Sequence, residues 1–230
     1  MNLLDKPVWS SLTTAHLHLG EGDDLARRYA PDVNVFASTG EDTPEALARL
    51  ASLLEPGAQA FIIQVPQITV PPELTVVKEE TGVQMVYQGA DLSIYDGADI
   101  IPLGENDAPE MLALATLTEP GPFLPRTHLM GKFWGIRIDG RLAAMAGERM
   151  RFPGHTEVSG VCTHPDFRGR GLARRLSAHV ARLIIGRGDT PFLHAWKENA
   201  AAIGLYESLG FRIRADVNVV VLCREAVEAV

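Results

Sequence analysis

Cysteine is scarce in this sequence. Cys162 and Cys223 are the only two among 230 residues, too few for a disulfide framework, and they point to a reducing, cytoplasmic setting. Long apolar runs are missing too: none approaches the roughly 18 residues of a membrane-spanning helix. Asp5, Lys6, Pro7 and two histidines fall within the first twenty residues, which leaves no hydrophobic signal-peptide core. No membrane partner is expected. Basic charge is in deficit, with 21 Lys+Arg against 29 Asp+Glu and a net charge of −8, which disfavours a nucleic-acid partner. His16 and His18, like His155 and His164, lack a third ligand at metal-binding spacing, so no metal is expected. A P-loop string, Gly-x-x-x-x-Gly-Lys-Ser/Thr, occurs nowhere.

What remains is an ordinary globular composition, 46% hydrophobic and 22% charged, long enough for one large domain or two small ones. The charge is uneven. Residues 1–98 carry five basic and fourteen acidic residues, whereas residues 99–230 carry sixteen and fifteen. Within the latter, residues 168–187 hold six arginines and no acid.

Local patterns predict alternating elements. Asp23–Ala30 reads as a short helix and Val33–Ser38 as a strand. Thr43 can cap a helix from Pro44, and Ala60–Val65 and Val83–Tyr87 read as strands. Beyond Gly97, Asp107–Leu117 has helical spacing. Asp139-Gly140 joins Phe133–Ile138 to Leu142–Arg151 as a hairpin. Strand Glu157–Thr163, helix Gly171–Ile185, strand Phe192–Trp196 and an Asn199-capped helix to Leu209 follow, then strands at Phe211–Arg214 and Val217–Leu222.

The stretch Arg168-Gly169-Arg170-Gly171-Leu172-Ala173 lies between a strand and an amphipathic helix. Its glycines allow a tight turn and close approach of a bulky anion, and the free N–H groups of the first helical turn favour negative charge. Arg168, Arg170, Arg174 and Arg175 add positive potential. A phosphate or pyrophosphate site follows, against the plainer reading of a loop that needs glycine for geometry. A dinucleotide fingerprint fits poorly, because Arg174 stands where Gly or Ala is needed and Asp189 precedes the next strand instead of ending it.

The string Glu157-Val-Ser-Gly-Val-Cys-Thr-His-Pro-Asp-Phe-Arg-Gly-Arg-Gly-Leu-Ala173 resembles the acyl-CoA-binding core of the GNAT superfamily of N-acetyltransferases, whose Gln/Arg-x-x-Gly-x-Gly/Ala element is met by Arg168, Gly171 and Ala173. A second element, Asn199 with Leu205-Tyr206 and Gly210-Phe211, is met in the right order. The resemblance spans about residues 99–224. Its Ser-Gly-Val-Cys-Thr-His-Pro form looks closest to the glycine N-acyltransferase-like branch.

This resemblance implies an α/β fold: a mixed, mostly antiparallel sheet flanked by helices over residues 97–230, preceded by a smaller α/β domain over residues 1–96, possessing the build of a degenerate acetyltransferase half. It implies acetyl-CoA as co-substrate and transfer of the acetyl group to the primary amine of a small molecule or peptide, by a monomer or homodimer. Backbone groups of Val161, Cys162 and Thr163 would pair with the pantetheine arm. Arg168, Gly169, Arg170, Gly171, Leu172, Ala173 and Arg174 would hold the pyrophosphate, and Asn199 would contact the CoA arm or simply cap its helix. Tyr206 is the candidate general acid, with core packing as its alternative, since it shares a helix face with Ala202 and Leu209. Glu157 is the candidate general base, with a surface or substrate-binding acid as its alternative. A non-catalytic acyl-CoA sensor and an N-acyltransferase using a longer acyl chain are the rival readings. Cys162 is not expected to carry an acyl group, and Trp134, Trp196 and Phe133 are expected to pack the core.

Overall fold

A computed structural model describes residues 2–89, 92, 97 and 99–225. The chain runs through α1 (Pro7–Leu12), β1 (Gly20–Gly22), β2 (Ala26–Tyr29), β3 (Ala37–Thr39), α2 (Pro44–Ser52), β4 (Gln59–Gln64), β5 (Thr75–Tyr87), β6 (Ile100–Leu103), α3 (Ala108–Thr118), β7 (Phe133–Ile138), β8 (Arg141–Phe152), β9 (His155–Thr163), α4 (Leu172–Gly186), β10 (Thr190–Trp196), α5 (Ala200–Ser208) and β11 (Phe211–Cys223).

Eight strands form one sheet in the order β4-β11-β5-β10-β9-β8-β7-β6. Among the described residues its only parallel pair is β9 with β10, so the sheet is mixed and mostly antiparallel, as expected. Strands β4 and β5 come from the N-terminal side of the boundary expected at residue 96, yet they hydrogen-bond to β11 and β10 from the C-terminal side. The large sheet therefore runs across that boundary. Strands β1, β2 and β3 form a separate small sheet.

Both faces of the large sheet are covered, and the period of two along its strands shows how. In β10, Phe192 packs with Val8, Leu12, Tyr29 and Phe152 on one face, and Leu193 packs with Leu176, Val180 and Ile184 on the other. Helix α4 supplies the second layer. Its buried Leu172, Leu176, Val180 and Ile184 recur every four residues. Helix α2 begins as its sequence suggests, with Pro44 in the first turn and Thr43 Oγ1 accepting from Ala46 N–H at 3.2 Å.

Two readings of the sequence are corrected. Asp23–Ala30 is not a helix. Asp23 Oδ1 accepts from Leu25 N–H at 3.0 Å, a turn that competes with a helical start, and Ala26–Tyr29 then pairs with β1 and β3 on its two sides. The two strands expected at the C-terminal end are one, β11, with a register shift between Ile213 and Ala215.

Candidate active site

Two β-bulges shape the centre of the sheet. In the first, Gly160 and Val161 of β9 face the single residue Ala146 of β8, because Gly147 pairs with Ser159 and Met145 with Cys162. Gly160 has φ +61°, a left-handed conformation that glycine adopts without steric cost. A Cβ there would also come within 2.9 Å of the Phe133 ring. A bulge bends its strand and leaves the extra residue outside the ladder. On the other side of β9, parallel pairing with β10 stops at Glu157 and Phe192. Beyond that point the two strands part, and Ser159–Thr163 faces His194–Trp196 across a gap.

The gap opens into a cavity of about 260 Å³. Val161, His194 and Trp196 line it from the parted strands, Asn199 and Tyr206 from α5, and Arg149 from β8. Phe36, Phe61 and Ile63 close it from the N-terminal half, and Thr118–Pro122 from the end of α3. Of the sequence-derived candidates, Val161, Asn199 and Tyr206 thus share one cavity. Asn199 also caps α5, its Oδ1 accepting from Ala202 N–H at 3.0 Å. The Tyr206 ring stands edge-on to Phe211, and burial pushes its hydroxyl up to about 12. Both the packing role and a cavity-facing role of Tyr206 are compatible with this position.

The Gly-rich loop ends at Gly171, with φ +72°. Arg175 N–H makes the first intrahelical bond of α4, to Gly171 O at 3.1 Å. The N–H groups of Leu172, Ala173 and Arg174 therefore have no intrahelical acceptor, and the helix dipole adds positive potential. Arg168, Gly169, Arg170 and Gly171 are exposed around this end. The Leu172 side chain points away from it into the core, so only its backbone could serve an anion. Cys162 is buried against Met111, Leu114 and Met145, and desolvation pushes its thiol up to about 11, which suppresses the nucleophilic thiolate. Phe133 and Trp134 are core residues, whereas Trp196 is 41% exposed and borders the cavity.

Glu157, the candidate base, sits opposite the second bulge, where β8 fits Arg149 and Met150 between the paired residues Glu148 and Arg151. Its side chain is fully buried. Arg149 Nε donates to Oε2 at 2.7 Å and Nη2 to Oε1 at 2.6 Å, and His194 Nδ1 lies 2.7 Å from Oε1. Burial alone would raise this carboxyl, but the Arg149 charge and hydrogen bonds, with help from His194, hold it down to about 2. A carboxylate so stabilised as an anion is a weak proton acceptor at neutral pH. Glu157 thus lies under the floor of the cavity as the anionic partner of Arg149 and His194.

Residues that sequence reasoning missed complete this floor. Arg214 Nη1 donates to Gln84 Oε1 at 2.9 Å, which orients the amide so that Gln84 Nε2 donates to Leu4 O at 2.8 Å and faces His194 Nε2 at 3.2 Å. His194 is thus held between the Gln84 amide and the Glu157 carboxylate, one ring nitrogen to each. The available signal was a charged pair, Glu148-Arg149, set between the apolar run Leu142–Gly147 and Met150.

The FR47-like protein family model matches residues 134–221, a span that holds both bulges, the Gly-rich loop and α5. A solved acetyltransferase of the GNAT family from Novosphingobium aromaticivorans DSM 12444 is 44% identical and has a TM-score of 0.92, covering 98% of this chain and 100% of that one. This chain belongs to the GNAT family. Acyltransferase chemistry follows from that membership. Two curated GNAT-type relatives are similar over shorter spans. The [ribosomal protein bS18]-alanine N-acetyltransferase of Salmonella typhimurium is 42% identical over 77 residues, 33% of this chain and 51% of that protein. The N-alpha-acetyltransferase RimI of Mycobacterium tuberculosis is 34% identical over 91 residues, 38% and 54% respectively. The chain spans about half the length of these two relatives.

Gly160→Val tests whether the first bulge shapes the site. A β-branched residue is strained at φ +61° and meets Phe133, so the strand is expected to flatten. Acetyl-CoA affinity should fall by roughly tenfold or more, for a strain of about 1–2 kcal/mol, read by titration calorimetry on protein that still shows a cooperative melt.

Proposed function

We propose that this protein transfers an acetyl group from acetyl-CoA to a primary amine by direct attack in a ternary complex. The observation that carries this reading is the parting of β9 and β10 after Glu157 and Phe192, with Tyr206 and Asn199 of α5 on the same gap. The edge of β9 at Val161–Thr163 offers unpaired backbone groups to the amide-rich pantetheine arm, as a sheet edge does to an added strand. The N–H groups at the start of α4, with Arg168, Arg170 and Arg174 around it, suit a pyrophosphate. The bulged Val161 N–H can donate to the oxygen that becomes negative when the amine attacks the thioester carbonyl.

In that attack a C–N bond forms and the C–S bond breaks. Tyr206 supplies the proton to the departing sulfur. Its high proton affinity keeps it protonated at neutral pH. Because Glu157 is committed to Arg149 and His194, the proton lost by the amine passes to water in the cavity. The Ser159–Pro165 string supports kinship with the glycine N-acyltransferase-like branch as a reading of the sequence alone. The similarity to two N-terminal acetyltransferases supports N-transfer as the chemistry.

The test is release of free thiol from acetyl-CoA against a panel of amines, alongside CoA binding by thermal shift. Amine-dependent thiol release with a stoichiometric N-acetyl product is expected. Tight CoA binding with no turnover would replace the enzyme by an acyl-CoA sensor. Faster turnover with butyryl- or benzoyl-CoA than with acetyl-CoA would replace the donor. Failure to bind CoA would overturn the proposal.

A further inference from the structure

The cavity wall carries one charge that nothing answers. Arg149 and Glu119 are the residues of opposite full charge on it. The Arg149 charge is matched by Glu157 through two hydrogen bonds, and its guanidinium lies on the Phe36 ring, 4.9 Å from the centroid. His194 is taken up by Glu157 and Gln84. Asn199 Oδ1 accepts from Ala202 N–H, and Thr118 Oγ1 donates to Leu114 O at 2.7 Å. Glu157 itself is fully buried and forms no part of the wall, so Glu119 is the only carboxylate on it. The Glu119 side chain has no hydrogen-bond or ion-pair partner among the described residues, and the residue is exposed.

The backbone holds Glu119 there under strain. Helix α3 ends on it: its N–H donates to Ala115 O at 2.8 Å, and its φ of +49° and ψ of +55° are left-handed. Pro120 follows, and a proline disfavours the right-handed helical conformation for the residue before it. A helix that ends in a left-handed residue usually has Gly there, or Asn, because other side chains are strained. Among the described residues only Glu119 and Asp139 combine a side chain with positive φ. Asp139 lies with Gly140 in the two-residue turn between β7 and β8, which calls for positive φ at both positions. No such turn calls for a glutamate at 119. Backbone strain of this kind concentrates at functional sites, and the cavity is what sets Glu119 apart.

From these features we infer that Glu119 is the catalytic carboxylate of the acceptor side, which draws in the ammonium form of the acceptor and takes the proton that the amine must lose before it attacks. The inference rests on the proposed acetyl transfer and completes its proton path. With Arg149 matched by Glu157, the unmatched charge of the cavity is negative, and the apolar Phe36, Phe61, Ile63, Val217 and Val219 on its wall weaken solvent screening. An ammonium ion is favoured there. Glu119 accepts one proton from it through the cavity water, which leaves the free amine, and unlike Glu157 it gives up no ion pair to do so. The amine nitrogen then forms the C–N bond, and the second proton that it sheds replaces the one Tyr206 gives to the departing sulfur. Glu119 returns its proton to solvent. Each ammonium ion and acetyl-CoA thus yield one N-acetyl product, one free thiol and one proton.

The experiment compares Glu119→Gln, Glu119→Asp and Glu119→Gly with the wild-type chain, using the amine of the panel that the wild type acetylates fastest. Glu119→Gln is expected to lower kcat/KM for the amine by about 10²-fold or more, within the usual range for a positioned proton acceptor, while the KM for acetyl-CoA changes little. Glu119→Asp keeps the carboxylate and should recover about tenfold of that loss or more. Glu119→Gly separates function from structure. It removes the carboxylate and the left-handed strain together, so its Tm should rise by about 1–4 °C while its activity falls as far as that of Glu119→Gln. A residue kept only to end α3 would give the rise in Tm with activity intact. Loss of less than about tenfold in Glu119→Gln, or full activity in Glu119→Gly, would overturn the role of Glu119 and leave acetyl transfer standing. A rise in the KM for acetyl-CoA that accounts for the whole loss would overturn its placement on the acceptor side. Absence of thiol release from the wild-type protein with every amine would overturn both this inference and the transferase reading.

Discussion

Replacing Tyr206 with phenylalanine should lower kcat by about 10²–10⁴-fold, the usual contribution of a positioned proton donor, while the KM for acetyl-CoA changes little. The substitution removes one oxygen and keeps the ring. The edge-on contact with Phe211 is preserved, and the melting temperature should stay within a few degrees. The pH profile gives a second readout. Burial holds the Tyr206 hydroxyl at about 12, so it is protonated throughout the working range and contributes no falling limb below about pH 10. Any limb near pH 7–9 belongs to the acceptor amine, and it should persist in Tyr206→Phe. Unchanged turnover would return Tyr206 to a packing role.

The second large effect concerns stability. Glu157→Gln leaves the Arg149 guanidinium buried opposite a neutral amide. Removing one partner of a buried, hydrogen-bonded ion pair typically costs about 3–5 kcal/mol. For a chain of this size that is a fall in Tm of roughly 6–20 °C. The native protein should show the same interaction as acid sensitivity. The Glu157 carboxyl is depressed from its ordinary 4.5 to about 2 in the fold. Its stabilisation is therefore fully present above about pH 4.5 and is lost as the pH falls towards 2, a difference of roughly 3 kcal/mol. Denaturant melts at pH 6, 4 and 2.5 should show this loss in the native protein and little of it in Glu157→Gln. If instead Glu157→Gln melts normally and loses 10²-fold or more in kcat, Glu157 is a base after all.

Local signals in the sequence carried much of the fold. Helices α2 and α5 announce their caps, Thr43 and Asn199, and α4 its apolar stripe. The Asp139-Gly140 turn gives the β7–β8 hairpin. The Gly-rich loop and the Asn199–Tyr206 spacing marked the side of the site proposed for acetyl-CoA. What escaped was non-local. The helix expected at Asp23–Ala30 is a strand because two neighbours pair with it, and the sequence of that segment does not show those neighbours. Arg149, Glu157, His194, Gln84 and Arg214 meet through five adjacent strands, although up to 130 residues separate members of the network in sequence. Glu157 was noticed for its place before the Gly-rich loop. Its chemistry is set by an arginine across a β-bulge, and no periodicity reports a bulge.

The seat of β5 between β10 and β11 has a consequence for how the molecule is made. Tyr87 must wait for Phe211, its partner in the sheet, which is added 124 residues later. At about 5–20 residues per second this delay is roughly 6–25 s. Through that interval the edges of β4 and β5 lack β11, and β5 itself carries the exposed Val76 and Val77. Such edges are templates for wrong pairing. Closure of this part of the sheet falls to β11, which is made after both strands that it joins. A chain cut short before residue 211 would lose the strand that joins β4 to β5, and with it the attachment of β4 to the sheet. The nascent protein's most vulnerable surface is thus the one that, once paired, supports the floor of its active site.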